Sequence, residues 1–426
     1  MPRVRISSAE DYIRNKEYYD SLSMRERMLA LGLSGGQPSA AIARPRPELG
    51  TVERKPQTTA SPSGGGPFVR HSREARLAGF DVTGQAFSGL VTQNLKPVGG
   101  YIEDLRLLVK ASGGSGTTTN ATAAADAPEN VISSLILRDP FGQPIVQCDG
   151  VGLRLIDMYG GSAGFYYTQD PRNLPSFSNV ATTGNFTERF IIPIEHLSDA
   201  YTALPSMNAS AQPLLQINLA AAATVFTTSP SPTLPTIEVR VDETYWAAPI
   251  DDPSLAPPGV GSSHQWSQSN VAQTVASASA YNLTLPRVGT WIDTLILLAR
   301  DSTGVRVDTV YPAVQGSPIE FWVDGTPYYS ETIDLKFDAM TIAHGAGAVA
   351  PSDARPTGVL VYSWRDSAFK AVSDADTGDL WLHTTPGTLL EVRSTSQSIA
   401  NAPATVTCYT GEVYPLGGIP YGHLAE

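Results

Sequence analysis

Two hydrophobic patterns divide the chain. Up to residue 36 the apolar side chains recur at helical spacing, with Tyr12, Ile13, Tyr19, Leu22, Met28, Leu29 and Leu31 forming one stripe. The spacing predicts two short helices. Each opens on a capping sequence, Ser8-Ala9-Glu10-Asp11 and Ser23-Met24-Arg25-Glu26, and Gly32, Gly35 and Gly36 end the pattern. From about Phe80 the period becomes two. Ile237-Glu238-Val239-Arg240-Val241-Asp242 alternates without a break, as does Ile333-Asp334-Leu335-Lys336-Phe337-Asp338, and both read as half-buried strands. Leu153 to Tyr159 also reads as a strand, while Pro193 through Leu204 is the best helical stretch of this region. Turn clusters such as Asp139-Pro140-Phe141-Gly142 and Asp324-Gly325-Thr326-Pro327 punctuate the strands. Residues 111–128 and 343–358, rich in Gly, Ala, Ser and Thr, read as exposed loops.

The strand-rich part repeats itself. Residues 95–110 read LKPVGGYIEDLRLLVK and residues 285–300 read LPRVGTWIDTLILLAR, with Leu95/Leu285, Val98/Val288, Gly99/Gly289 and Ile102/Ile292 among the identities. Further pairs follow in the same order. Gly142-Gln143-Pro144 answers Gly325-Thr326-Pro327, and Leu153-Arg154-Leu155 with Met158 answers Leu335-Lys336-Phe337 with Met340. Leu214-Leu215 answers Leu389-Leu390, and Glu243-Thr244-Tyr245 answers Glu412-Val413-Tyr414. A repeat this long is not a solenoid unit or a propeller blade. It predicts two whole domains of one all-β fold, each with room for about eight strands, which suits a jelly roll of two facing sheets. The expected layout is a helical basic arm over 1–36, a Pro/Gly-rich linker over 37–79, a first jelly roll over 80–250, a linker over 251–270 and a second jelly roll over 271–426. Residues 37–67 hold six prolines and no aromatic residue, too little apolar surface to offset the entropy of ordering them.

Composition narrows the picture. The 42% apolar and 16% charged residues suit packed cores, and 37 Gly with 33 Pro argue against a helical bundle. The start has no apolar stretch of a secretory leader, and no run approaches a membrane span. Cys148 and Cys408 are expected as two buried thiols made in a reducing cytosol. Residues 1–76 carry 13 Lys and Arg against 8 Asp and Glu, whereas the whole chain has a net charge of −12. A basic arm on an acidic body points the arm, not the body, at anionic partners and argues against sequence-specific nucleic-acid binding.

The long N-terminal arm, the two tandem β-domains and the opening signature L-x-x-V-G-x-[YW]-I-[ED]-x-L-x-L-L of each copy resemble double jelly-roll major capsid proteins. The type is that of tailless, membrane-containing icosahedral phages, the tectivirus-like group, with adenovirus hexon a larger relative. The resemblance covers roughly residues 80–420. It implies a structural virion protein made in the host cytoplasm. Three chains would form a pseudo-hexagonal homotrimer, and these capsomers would tile an icosahedral shell beside minor capsid or vertex proteins. Loops 111–128 and 343–358 would form outward towers. The arm would lie beneath neighbouring subunits or on an internal membrane, where Arg3, Arg5, Arg14, Lys16, Arg25 and Arg27 would meet anionic headgroups at ~1 kcal/mol each.

Catalytic patterns are sparse. Gly160-Gly161-Ser162-Ala163-Gly164 fits a nucleophile elbow in letters, but Phe165-Tyr166-Tyr167-Thr168 does not open the helix that such an elbow requires. His71, His196, His264, His344, His383 and His423 form no H-x-H or H-E-x-x-H, so no metal or other cofactor is expected. Asp374, Asp376 and Asp379 resemble the start of a calcium loop, but Thr385 stands where the closing Glu belongs, and an Asx-rich turn is the ordinary reading. Tyr166, Tyr167, Trp291, Trp322, Tyr328, Tyr329, Trp364 and Trp381 fit sandwich cores and subunit contacts better than a carbohydrate groove. The rivals to the non-enzymatic reading are a secreted-type two-domain β-sandwich enzyme acting on glycans and a virion spike or receptor-binding protein.

Overall fold

The computed structural model describes residues 74–160, 176–177, 183–194, 203–206, 211–247, 262–270, 274–286, 288–312, 317–344, 356–364 and 381–415. Among them are sixteen principal strands in two sets of eight. The first set is β1 (Glu74–Gln85), β2 (Leu90–Asn94), β3 (Gly100–Ser112), β4 (Ile132–Arg138), β5 (Pro144–Cys148), β6 (Phe186–Pro193), β7 (Leu214–Leu219) and β8 (Thr236–Ala247). The second is β9 (Ser262–Asn270), β10 (Ala280–Thr284), β11 (Trp291–Arg300), β12 (Ile319–Val323), β13 (Thr326–Glu331), β14 (Val359–Ser363), β15 (Leu390–Thr395) and β16 (Thr405–Pro415). Helix α1 (Gly150–Tyr159) follows β5, and helix α2 (Ile333–His344) follows β13.

Pairing turns this order into a recognisable topology. The first set forms the sheets β1-β8-β3-β6 and β2-β7-β4-β5. The second forms β9-β16-β11-β14 and β10-β15-β12-β13, the same order with eight added to every strand number. All neighbours within these sheets are antiparallel, and each set has the eight-strand order of a jelly roll. Alternation fills the interior: Ile237, Val239 and Val241 of β8 are fully buried, while Arg240 points outward. One hydrophobic core runs through both sets, from Leu105, Leu137, Phe190 and Ile217 to Leu297, Phe321, Val361 and Val392.

The repeat motif has a structural cause. Gly99 and Gly289 both adopt left-handed backbone conformations, with φ of +65° and +92°, which L side chains rarely tolerate. Beside each glycine a matched glutamate of the last strand holds the loop. Lys96 N donates to Glu243 Oε1 at 2.9 Å, and Thr290 Oγ1 donates to Glu412 Oε2 at 3.0 Å. The two turn clusters also behave as their residues predict. Asp139 Oδ1 accepts from the amides of Phe141 and Gln143, and Asp324 and Gly325 both have positive φ in the β12–β13 hairpin.

Several expectations are corrected. Ile333–Asp338 opens α2 instead of forming a strand. Its alternation is six residues long by coincidence, whereas Ile333, Phe337 and Met340 lie at helical spacing and face the core while Leu335 stays exposed. Leu153–Tyr159 lies in α1, where almost every residue is buried, so alternation carried no information; Asp149 Oδ1 caps the helix by accepting from Gly152 N at 2.6 Å. The stretch 111–128 is not a bare loop, because Ser115–Thr119 pairs with Ser231–Thr233 and Thr122–Ala123 with Phe226–Thr228. Strand β1 starts at Glu74, inside the expected linker. Strand β9 occupies 262–270, also expected as linker, because its polar sequence hides a strand held by pairing with β16. At the predicted helix 193–204, Pro193 ends β6 and Leu204 pairs with β3; residues 195–202 lie outside the described residues, as do 1–73 and 345–355.

Candidate functional site

The two domains are joined edge to edge. Strand β5 of the first pairs in parallel with β9 of the second, Val146 opposite Trp266 and Gln147 opposite Ser267, so that one sheet runs β2-β7-β4-β5-β9-β16-β11-β14 across both. Glycines let aromatic rings seat directly on the backbone at this joint. The Trp266 ring is buried over Gly160 and Gly411, where a Cβ would come within 2.2 Å and 2.9 Å of its atoms. Tyr409 lies over Gly152, where a Cβ would approach its ring to 2.3 Å. At Gly160 and Gly152 no side chain larger than hydrogen fits without moving the domains apart, and at Gly411 none fits without displacing Trp266 and Asp293 of the same domain.

Polar contacts orient the same joint. Asp149, the cap of α1, accepts from Tyr409 Oη at 3.0 Å and from Gln268 Nε2 at 3.1 Å, and its amide donates to Gln268 Oε1 at 2.7 Å. Burial pushes the Tyr409 hydroxyl well above its ordinary value, and the Asp149 charge adds to the shift, so the tyrosine keeps its proton and donates it. A charged layer lies alongside. Arg300 of β11 donates to Asp126 Oδ2 through Nε and Nη2 at 3.2 Å and 2.7 Å, and Arg306 reaches Asp126 and Glu129. Both acids belong to the first domain and both arginines to the second. The four side chains are 12–19% exposed, which screens them less than surface pairs.

These groups line a cleft of about 720 Å³ that includes Asp126, Asn130, Asp149, Thr224, Arg300 and Thr303. Its two carboxylates are already engaged, Asp126 by two guanidiniums and Asp149 by the helix amide and Tyr409. The cleft thus presents a locked joint, without the convergent acid and base of a glycan-cleaving site. Among the described residues, no group of three or more His, Cys, Asp or Glu is placed to hold a metal ion.

Buried carboxyls lie behind α1. Burial raises Glu188 to about 8 and Asp157 to about 7, against the pull of Arg154, whose Nη1 is 3.5 Å from Asp157 Oδ2. Burial likewise raises Glu243 to about 7. Each carboxyl therefore carries its proton in the folded protein at a pH where the unfolded chain has lost it.

The residues singled out in the sequence fall mostly elsewhere. Arg3, Arg5, Arg14, Lys16, Arg25 and Arg27, the triad Asp374, Asp376 and Asp379, and Tyr166 and Tyr167 lie outside the described residues. Gly160 ends α1, a helix where an elbow needs a strand, and 161–164 are not described. His383 stacks on Trp291 at 4.5 Å between ring centres. Trp364 is buried against Phe321, and Arg393 lies over Trp322 at 4.0 Å, so these aromatics fill or edge the second domain. Cys148 and Cys408 are buried free thiols. Sequence reasoning missed Trp266, Tyr409, Asp149 and the Asp126–Arg300 pair. The one available signal was Trp266 itself, a lone large aromatic in the polar run Ser-Ser-His-Gln-Trp-Ser-Gln-Ser-Asn.

No protein-family model matches the sequence, and comparison with curated proteins finds no match. Solved structures do match. The crystal structure of the STIV MCP superposes with a TM-score of 0.54 at 14% identity, covering 83% of this chain and 99% of that one. The chain is a double jelly roll. A second double jelly roll of similar likeness occurs in the atomic structure of Sulfolobus turreted icosahedral virus (TM-score 0.54, 12% identity, 80% of this chain and 91% of that one). VP54 of PBCV-1, fitted into a reconstruction of the virophage Sputnik, has a TM-score of 0.51 at 12% identity and covers 80% of this chain and 93% of its own. At these identities the likeness is one of fold.

Trp266→Ala is expected to cost ~3–5 kcal/mol and to split a single calorimetric unfolding transition into two, because it removes the ring that bridges the domains. One unchanged transition would show that the joint does not depend on Trp266. A raised carboxyl pKa stabilises most below the unfolded value of roughly 4 and loses that contribution as pH rises through the folded value. Denaturation midpoints are therefore expected to fall between about pH 4 and pH 8, and Glu188→Gln is expected to flatten that fall. An equally steep profile in the variant would place the pH dependence elsewhere.

Proposed function

We propose that this protein is a non-enzymatic structural virion protein, a major capsid protein. Its trimers are pseudo-hexagonal capsomers that tile an icosahedral shell. The observation that carries the reading is the rigid joining of two jelly rolls of one topology, edge to edge, in a single chain. Three such chains place six similar blocks around a threefold axis, which gives a nearly hexagonal tile and quasi-equivalent neighbours. The fold likeness to the STIV MCP, over 99% of that chain, supports the same reading. The engaged carboxylates of the inter-domain cleft weigh against a glycan-acting enzyme.

The finer assignment is a shell of the tectivirus-like kind around an internal membrane, with minor capsid or vertex proteins as further partners. It rests on the resemblance of the repeat motif. In it the paired ribbons around 115–123 and 226–233 belong to the tower side, and the basic arm lies on the inner side.

Purified full-length protein is expected to give a native mass near three times 45.3 kDa by light scattering, with hexagonal outlines in negative stain. A monomer stable on dilution would overturn the capsomer reading. Removing residues 1–36 is expected to abolish co-flotation with vesicles containing anionic lipid while leaving the trimer intact. Undiminished flotation would remove the arm from the membrane contact.

A further inference from the structure

The repeat places the same elements in two different surroundings. Matching Gly142-Gln143-Pro144 with Gly325-Thr326-Pro327 sets β5 on β13, and matching Leu153-Arg154-Leu155 with Leu335-Lys336-Phe337 sets α1 on α2. In the first domain β5 is joined to β9, the start of α1 is held by Gln268 and Tyr409, and Leu153 is fully buried. In the second domain β13 is an edge strand among the described residues, Leu335 is 67% exposed and Tyr328 is 54% exposed. The other half of the joint shows the same asymmetry. Strands β9 and β1 both pair with the last strand of their domain. Yet β9 is joined to β5, while β1 ends its sheet among the described residues. Among the described residues the chain thus contains one completed joint and one unfilled half of each kind.

We propose that β13 and α2 of one copy receive the β1 edge of a second copy's first domain, repeating between chains the joint that β5, α1 and β9 make within one. The proposal rests on the capsomer reading and adds the surface and its register. Because Glu412 and Glu243 match, and Trp266 pairs with Gly411 as Ala78 pairs with Asp242, Ala78 takes the place of Trp266. Tyr329 takes the place of Val146. Tyr329 then faces Ala78 of the next copy, and Ser330 faces its Gly79–Phe80 bulge. The contact is head-to-tail, and two domains per chain close it into a ring after three copies.

The chemistry of the second joint differs in a way that suits assembly. The place of Tyr409 is taken by Arg240, which is 48% exposed and paired with Asp81 and Glu238 of its own chain, and the place of Asp149, the residue before its helix, by Thr332. A tyrosine hydroxyl against a carboxylate within the chain becomes a guanidinium beside a threonine hydroxyl between chains. Leu335 stands where Gly152 admits the Tyr409 ring, so no ring seats on bare backbone there, and Arg240 makes the joint between chains more polar than the one within. A surface of this kind stays soluble in the free chain and still recognises one partner.

The test uses the full chain. Leu335→Glu changes an exposed side chain and is expected to weaken association at least tenfold, giving monomer by light scattering with an unchanged circular dichroism spectrum and melting profile. The pair Ala78→Cys with Tyr329→Cys is expected to give a covalent trimer on a non-reducing gel after oxidation, while neither single variant does. A parent trimer in which Leu335→Glu still trimerises and the cysteine pair does not cross-link would overturn this joint and leave the capsomer reading standing. A monomeric parent would overturn both.

Discussion

Everything in this molecule depends on two sheet edges meeting. An eight-stranded jelly roll closes its core but leaves edge strands with unpaired amides and carbonyls, which pair readily with any other edge. Here β5 and β9 satisfy part of that demand in each other, and the parallel pairing fixes the direction of one domain against the next. Two residue pairs alone would make a hinge. Trp266 and Tyr409, seated on Gly160, Gly411 and Gly152, make it rigid, because a ring against bare backbone leaves no room for sliding.

The charged layer beside the joint contributes in a different way. Asp126 with Arg300 and Arg306, and Glu129 with Arg306, are partly buried pairs whose attraction is largely offset by the loss of water. Their effect is on geometry, since a misaligned domain would leave a buried charge alone. At the carboxyls Glu188, Asp157 and Glu243 burial acts differently, raising the pKa so that each takes up a proton more readily than in the unfolded chain. Their placement close to α1 and the matched loop of Lys96 ties the interior of the first domain to the elements that build the joint.

The two copies of the fold have diverged where their surroundings differ. Gly99 and Gly289, with Glu243 and Glu412, are retained because each domain needs the same left-handed loop and the same anchor for it. The joint residues are not retained: Gly152 and Leu335, or Tyr409 and Arg240, occupy matched places and differ in size or charge. One copy faces its own chain and the other faces outward, and side chains follow that difference.

Individual strands could be read from the sequence where burial is one-sided. The alternation of β8 is set by one wet face and one dry face, and it appears directly in Ile237 to Asp242. The repeat, the turns at Asp139 and Asp324, and therefore two domains of one all-β fold, follow from local preferences that do not need the rest of the molecule. Helix α1 was illegible because it is buried on all sides, and α2 because Leu335, outside its core stripe, completed a false alternation. Strand β9 was illegible because polar side chains flank its one buried tryptophan. The sequence by itself determined the fold of each domain and the fact of their duplication. Only the tertiary structure decided which edges meet and which glycines the aromatic rings cover, because contacts between residues more than a hundred positions apart leave no periodic trace in the chain.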